Sequence, residues 1–251
     1  MQRFLIFLLF ISYVSSEYCK GGIKVDGKCV CPNGKILVKG TCVKISGRIR
    51  PCPPGSRRLP DGTCSRRILP IKKPVIYLYP EESMDISVQL NIKESKFTTV
   101  YPKFNGKNTW NVHAKPNGDI LIKDKTYPYL FWEAESYKSQ EANEGFVVNE
   151  ENAEKFLEEK LDILGLNEKE KTDFITFWLP VLLRNKLSLC TFQTKKFFDN
   201  YELNITPKPD SMIRVFLTIK KLERPINIRE QKLGSVERKG FTAVEWGGSD
   251  I

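Results

Sequence analysis

KPVIYLYPEESMDISVQLNI, residues 73–92, is the stretch whose reading decides the fold class. Val75 to Tyr79 is an unbroken run of β-branched, aliphatic and aromatic residues and reads as a buried strand. Ile86, Val88, Leu90 and Ile92 alternate with Ser87, Gln89 and Asn91, which is the pattern of a strand with one buried face. Further on, Asn111 to Ala114 and Asp119 to Ile122 flank Lys115-Pro116-Asn117-Gly118, a hairpin with turn residues at its tip. Tyr127 to Glu133 reads as another strand, strongly aromatic, and Met212 to Ile219 alternates again.

Between these strand regions the period changes. Ala153, Phe156, Leu157, Leu161 and Leu164 recur at helical spacing, with Asn149 placed to cap the helix and Gly165 to stop it. Asn167 is placed to cap a second helix reaching toward Asn185. Glu168 and Glu170 in its first turn suit the helix dipole. Pro180 inside that helix is expected to kink or split it. Strands, a helical pair and strands again give an α+β domain, mainly antiparallel and sandwich-like, over residues 74–251.

Upstream the character of the chain changes. Six of its 7 cysteines, Cys19, Cys29, Cys31, Cys42, Cys52 and Cys64, lie in three similar units: CKGGIKVDGKC, CPNGKILVKGTC and CPPGSRRLPDGTC. Each unit places glycines at matching positions, which implies turns that need positive φ. Such a segment (residues 17–65) buries too little apolar surface to fold without cross-links. Six cysteines admit fifteen pairings and the spacing does not choose among them, although pairing within each unit is the simplest. No histidine lies nearby, so disulfides are favoured over a metal site.

Residues 1–16, MQRFLIFLLFISYVSS, carry Arg3 and then an apolar run from Phe4 to Val14. That run falls short of the roughly 20 apolar residues that span a bilayer, and small residues follow it. It reads as a secretory signal peptide, which makes the chain extracellular and its cysteine cluster a disulfide framework. No later segment is apolar enough to be a transmembrane helix.

Charge separates the two parts. The whole chain has 40 Lys+Arg and 30 Asp+Glu, yet residues 17–73 hold 14 against 3 and residues 74–251 hold 25 against 27. Residues 66–73 read as a basic linker. Arg48, Arg50, Arg57, Arg58, Arg66, Arg67, Lys72 and Lys73 form the densest part of the basic field, with Arg57, Arg58, Arg66 and Arg67 the candidate ligands for an anionic extracellular glycan or surface. In a secreted chain nucleic acid is not an expected partner. Arg66-Arg67 and Lys72-Lys73 also have the form of dibasic processing sites.

The cysteine units resemble the EB and EGF-like modules of secreted invertebrate proteins, without the usual EGF spacings. KPVIYLYPEE, YPYLFWEAE, GFVV, FLEEKLDILGLNEKE, FWLP, ITPKPDSMIRVF and ERKGFTAVEWGG resemble a domain family of bacterial secreted or surface proteins, across residues 72–251. The resemblance implies no established activity, catalytic residue or cofactor. A bacterial-type domain behind an animal-type module suggests lateral acquisition and a venom, toxin or defence role.

Three carboxylates could carry chemistry. Glu133 and Glu135 are two apart on an expected strand and so share a face, and Glu245 lies in VEWGG beside a glycine turn, with Trp132 and Trp246 adjacent. Paired carboxylates beside aromatics are the apparatus of a glycosidase. Cys190 and His113, the single histidine of the chain, form the one conceivable thiolate dyad. Asn204-Ile205-Thr206 is an N-glycosylation sequon on an expected polar loop. No phosphate-binding, dinucleotide or metalloprotease motif is present. The first expectation is a secreted interaction protein whose basic module tethers it and whose larger domain binds a protein or carbohydrate. The alternative is a secreted glycan hydrolase.

Overall fold

A computed structural model of the chain describes residues 19–25, 28–32, 35–38, 40–44, 56–58, 64–66, 68–136, 142–235 and 237–251. The expected signal peptide, Cys52 and Arg67 lie outside the described residues. The chain divides into two compact units, Met1–Arg66 and Arg67–Ile251.

The first unit is built of hairpins. β1 (Ile23–Val25) pairs with β2 (Lys28–Val30), β3 (Lys35–Val38) with β4 (Thr41–Lys44), and β5 (Ser56–Arg58) with β6 (Cys64–Arg66), all antiparallel. Disulfides Cys19–Cys29 and Cys31–Cys42 each close one sequence unit on itself, and Cys64 is disulfide-bonded as well. Two backbone bonds join the first two units: Lys20 N–H donates to Gly40 O (2.9 Å) and Cys42 N–H to Lys20 O (2.7 Å). Gly22 sits where both disulfides converge. A Cβ there would stand 2.7 Å from Cys42 Sγ and 3.1 Å from Cys19 Sγ, so only glycine fits. Ile23 (67%) and Val25 (47%) remain exposed, which leaves the staples rather than a core to hold this unit.

The second unit contains β7 (Leu69–Tyr79), β8 (Met84–Ile92), β9 (Ser95–Tyr101), β10 (Thr109–Ala114), β11 (Ile120–Ile122), β12 (Lys125–Tyr127), β13 (Leu130–Ser136) and β14 (Phe146–Asn149). Helices α1 (Ala153–Ile163) and α2 (Glu168–Asn185) follow. Then come β15 (Leu187–Phe192), α3 (Lys195–Phe198), β16 (Tyr201–Thr206), β17 (Ser211–Lys221) and β18 (Thr242–Asp250). The strands form a five-stranded sheet, β12-β11-β10-β8-β16, and a seven-stranded sheet, β14-β15-β17-β18-β7-β13-β9. Every pairing within them is antiparallel except β17 with β18.

The seven-stranded sheet is the middle of three layers. Val75, Tyr77, Val215, Leu217, Val244 and Trp246 pack against Phe156, Leu157, Phe174 and Trp178 of the helices. Ile76, Leu78, Phe216, Ala243, Leu130 and Trp132 pack against Ile86, Val88, Leu90, Trp110 and Val112 of the five-stranded sheet. Alternate residues of β7 and β17 thus enter opposite cores, which is why those strands read as continuous apolar runs while β8 alternates. The domain is α+β: a β-sandwich with a helical pair on one face.

The helix ends follow the sequence signals. Asn149 Oδ1 accepts from Asn152 N–H (3.1 Å) in a 3-10 turn that leads into α1. Gly165 has φ +85°, and Leu166 N–H returns to Leu161 O (3.1 Å) while Gly165 N–H returns to Asp162 O (3.0 Å), a Schellman stop. Asn167 and Glu170 form a capping box. Lys171, buried, ties α2 to α1 through Asp162 (2.7 Å) and Glu158 (3.4 Å), with Glu168 (2.8 Å) from its own helix. The hydrogen bonds to Asp162 and then Glu168 raise its pKa.

Several expectations are corrected. The basic segment 66–73 is not a free linker from Leu69 onward: Leu69 and Ile71 are buried in β7, and Lys72 pairs with Asp250 (2.5 Å). Tyr127 to Glu133 is two strands, because the chain passes at Pro128 and Tyr129 from the five-stranded to the seven-stranded sheet. Gly247 and Gly248 are not a turn but the interior of β18. A Cβ on either would run into a neighbour, Pro74 at Gly247 and the Trp178 ring at Gly248. Asn204 lies on strand β16, exposed, rather than on a loop. α2 runs unbroken through Pro180, since burial of Trp178 and Leu182 on either side outweighs one lost backbone bond.

Candidate functional site

Glu245 extends from β18 into the core between the sheets and is itself buried. Trp132 Nε1 donates to its Oε1 (3.0 Å), and Arg214 Nε (2.7 Å) and Nη2 (2.6 Å) hold Oε2. The same guanidinium donates to Tyr201 O (2.7 Å) and lies 4.4 Å from the centre of the Phe198 ring. The register explains the pairing, because β17 and β18 place Arg214 beside Glu245. The cavity beneath them, bounded also by Pro74 and Gly247, measures about 10 Å³, room for a water and not for a sugar.

Glu133 alternates with Trp132 and so leaves the other face of the seven-stranded sheet. Its Oε1 accepts from the backbone N–H of Lys73 (3.1 Å). Glu135 follows on the same strand, opposite Pro70 and Lys96. The three glutamates therefore do not converge: Glu245 is sealed in an ion pair and Glu133 is engaged elsewhere. All four tryptophans are core residues rather than sugar platforms.

Around Glu133 a cluster of polar and aromatic side chains gathers on the helix-facing side of the sheet. Lys73 has φ +58°, in the left-handed region a β-strand residue avoids. The ladders on both sides of β7 skip here, between Phe131 and Ala134 and between Trp246 and Gly248. This bulge turns the Lys73 N–H toward Glu133 and lays its side chain over Tyr129 and Phe131, with Nζ 5.0 and 5.3 Å from the ring centres and 3.3 Å from Tyr129 Oη. Lys169 approaches from the first turn of α2, 4.7 Å from the Tyr77 ring centre and 5.8 Å from that of Tyr129. Tyr77 Oη donates to Asp173 (2.8 Å), which also receives Lys169 Nζ (3.0 Å). Burial, then the hydrogen bond to Asp173, raises the Tyr77 pKa, and burial followed by the Glu170 charge raises that of Tyr79. Arg238 pairs with buried Glu170, donates to Gly165 O (3.0 Å) and faces the Tyr79 ring. Lys73 was singled out from the sequence only as part of a dibasic pair, and Tyr129 and Lys169 not at all. The only signal was a lysine preceding proline inside an apolar run, and the bulge that makes it special arises from tertiary pairing.

Cys190 and His113 lie in different layers. Cys190 is packed in the helix-facing core with its thiol pKa raised by burial. His113 lies on the outer face of the five-stranded sheet with Nδ1 2.9 Å from Asp85 Oδ1. A shallow depression of about 660 Å³ surrounds it, lined by Ser87, Asn105, Asn111, Lys123 and Thr206. In the first unit Arg58 pairs with Cys64, Arg57 with Ser65 and Arg66 with Ser56, so one hairpin carries three of the four candidate arginines. No group of three or more His, Cys, Asp or Glu suited to a metal occurs among the described residues. No helix among them is long and apolar enough to cross a membrane.

Comparison with known proteins gives one relative to report. The chain is 47% identical over 64 residues to "Uncharacterized protein in bglA 3'region" of Butyrivibrio fibrisolvens, a match taking in 25% of this chain and 66% of that protein. No family model matches the chain. No solved structure matches it.

Proposed function

We propose that the chain is an exported binding protein: its cysteine-rich unit anchors it to an anionic glycan or surface, and its larger unit binds a protein or carbohydrate. The observation that carries this reading is the concentration of positive charge, 14 Lys+Arg against 3 Asp+Glu, in residues 17–73, most of which belong to the unit that holds the disulfides. Disulfides favour an oxidising compartment, and the antiparallel pairing of β5 with β6 brings Arg57, Arg58 and Arg66 onto one hairpin. Glycan hydrolysis is less well supported, because a glycosidase needs two carboxylates facing each other across a substrate and Glu245 is enclosed with Arg214.

The test is retention of the full-length oxidised protein on a heparin column. Replacing Arg57, Arg58, Arg66 and Arg67 together by serine is expected to move elution to markedly lower salt, since each lost contact removes released counterions. Unchanged elution would overturn the anchoring role. Hydrolysis of a glycan panel that disappears in Glu133→Gln or Glu135→Gln would restore the enzyme reading.

A further inference from the structure

β14 is one of the two edge strands of the seven-stranded sheet among the described residues, and a groove of about 490 Å³ runs along it. All four β14 residues line one wall. Asn152, Lys155, Phe156, Glu159 and Lys160 line the other, which is one face of α1 and the turn before it, at spacings of three, one, three and one. Pro225 and Glu230 close one side.

The direction of the edge follows from two backbone bonds. Gly145 N–H donates to Arg229 O (2.9 Å), away from β15, and Glu150 N–H donates to Lys186 O (2.9 Å), toward the β15 side. Strand alternation then turns the N–H and C=O of Val147 outward with those of Gly145. Among the described residues no backbone group pairs with Val147 on that side. Glu144 and Arg229 form a single parallel bridge. Among the described residues this bridge at Arg229 is not continued along Val147.

We propose that an extended polypeptide segment adds to this edge as the eighth strand, held between β14 and α1, with an acidic side chain beside an apolar one. The proposal rests on reading the larger unit as a binding domain and names its partner class. Strand addition satisfies the outward backbone groups, and alternate side chains read the groove. Phe146 and Phe156 supply its apolar wall. The charge preference comes from Lys160: its Nζ lies 4.8 Å from the Phe146 ring centre and is in no ion pair among the described residues. Lys155 is only loosely engaged by Glu159 (3.7 Å).

The experiment uses the full oxidised chain and two sets of short fluorescein-labelled peptides, alternating valine with glutamate or valine with lysine. The glutamate set is expected to bind and the lysine set not, and Lys160→Glu is expected to reverse the preference. Val147→Pro removes one outward donor and no ladder bond, so binding should fall about tenfold at unchanged melting temperature. Slowed amide exchange at Val147 in the unaltered protein on adding peptide gives a readout independent of the variant. Failure of both peptide sets, unchanged exchange, equal binding by folded Val147→Pro, or a dimer that this variant dissolves would each overturn the proposal. Heparin retention measured on the same samples is set by the basic hairpin. Its persistence while peptide binding fails leaves the anchoring role standing.

Discussion

Arg214 and Glu245 show how a charge survives in a core. The carboxylate keeps three donors, from Trp132 and from two nitrogens of one guanidinium, and the guanidinium spends another donor on Tyr201 O. Removing one partner leaves the other buried and uncompensated. Arg214→Met is therefore expected to lower unfolding free energy by about 3–5 kcal/mol in urea titrations, and adding Glu245→Gln should recover part of that loss. A loss below about 1 kcal/mol would mean the pair is solvated. Tyr77 sets a pH limit. Its pKa is raised in the folded chain by burial and by Asp173. A group raised on folding contributes fully below its unfolded value, about 10 for tyrosine, and its contribution is lost as pH climbs from there toward the folded value. Melting temperature should fall as pH rises past about 10, and Tyr77→Phe should flatten that fall.

At the scale of elements, the two long helices were legible, while the short α3 and the sheet connections were not. Asn149, Gly165, Asn167 and Glu170 act within a few residues of their own positions, so local chemistry announced them. Asn167→Ala should cost about 1 kcal/mol, read by chemical denaturation, because Glu170 N–H loses its acceptor. The paired strands β7, β8 and β10 were legible from apolar runs, alternation and turn residues. β15, β16 and β18 were not, because polar or glycine residues inside them answer to distant partners. Gly248 is held in the strand by its pairing with Leu217 and Lys72, and it is glycine because the Trp178 ring of α2 fills the space a Cβ would need. The shared face of Glu133 and Glu135 was read correctly in kind, but nothing local could show that Glu245 faces the opposite core. Nor could it show the bulge at Lys73, which depends on register with two neighbouring strands at once.

At the scale of the molecule, the two units are stabilised by different means. The larger has cores on both faces of a seven-stranded sheet, and its single cysteine, Cys190, is buried and unpaired. The smaller has exposed Ile23 and Val25 and closes its hairpins through sulfur, with loops of 10 and 11 residues that would otherwise be free in the unfolded chain. Reduction should act on one unit and spare the other. Dithiothreitol should abolish protection of the amides of Lys20 and Cys42 from hydrogen exchange, since their bonds to Gly40 and from one hairpin to the next have no core behind them. Amides of Leu217 and Val244 should keep theirs, because no cross-link contributes to the layers around them. Heparin retention should fall with the first set of amides, as the β5–β6 pairing that carries Arg57, Arg58 and Arg66 is lost. Peptide binding at β14 should not change, and loss of the core amides on reduction would show that the larger unit also depends on the staples.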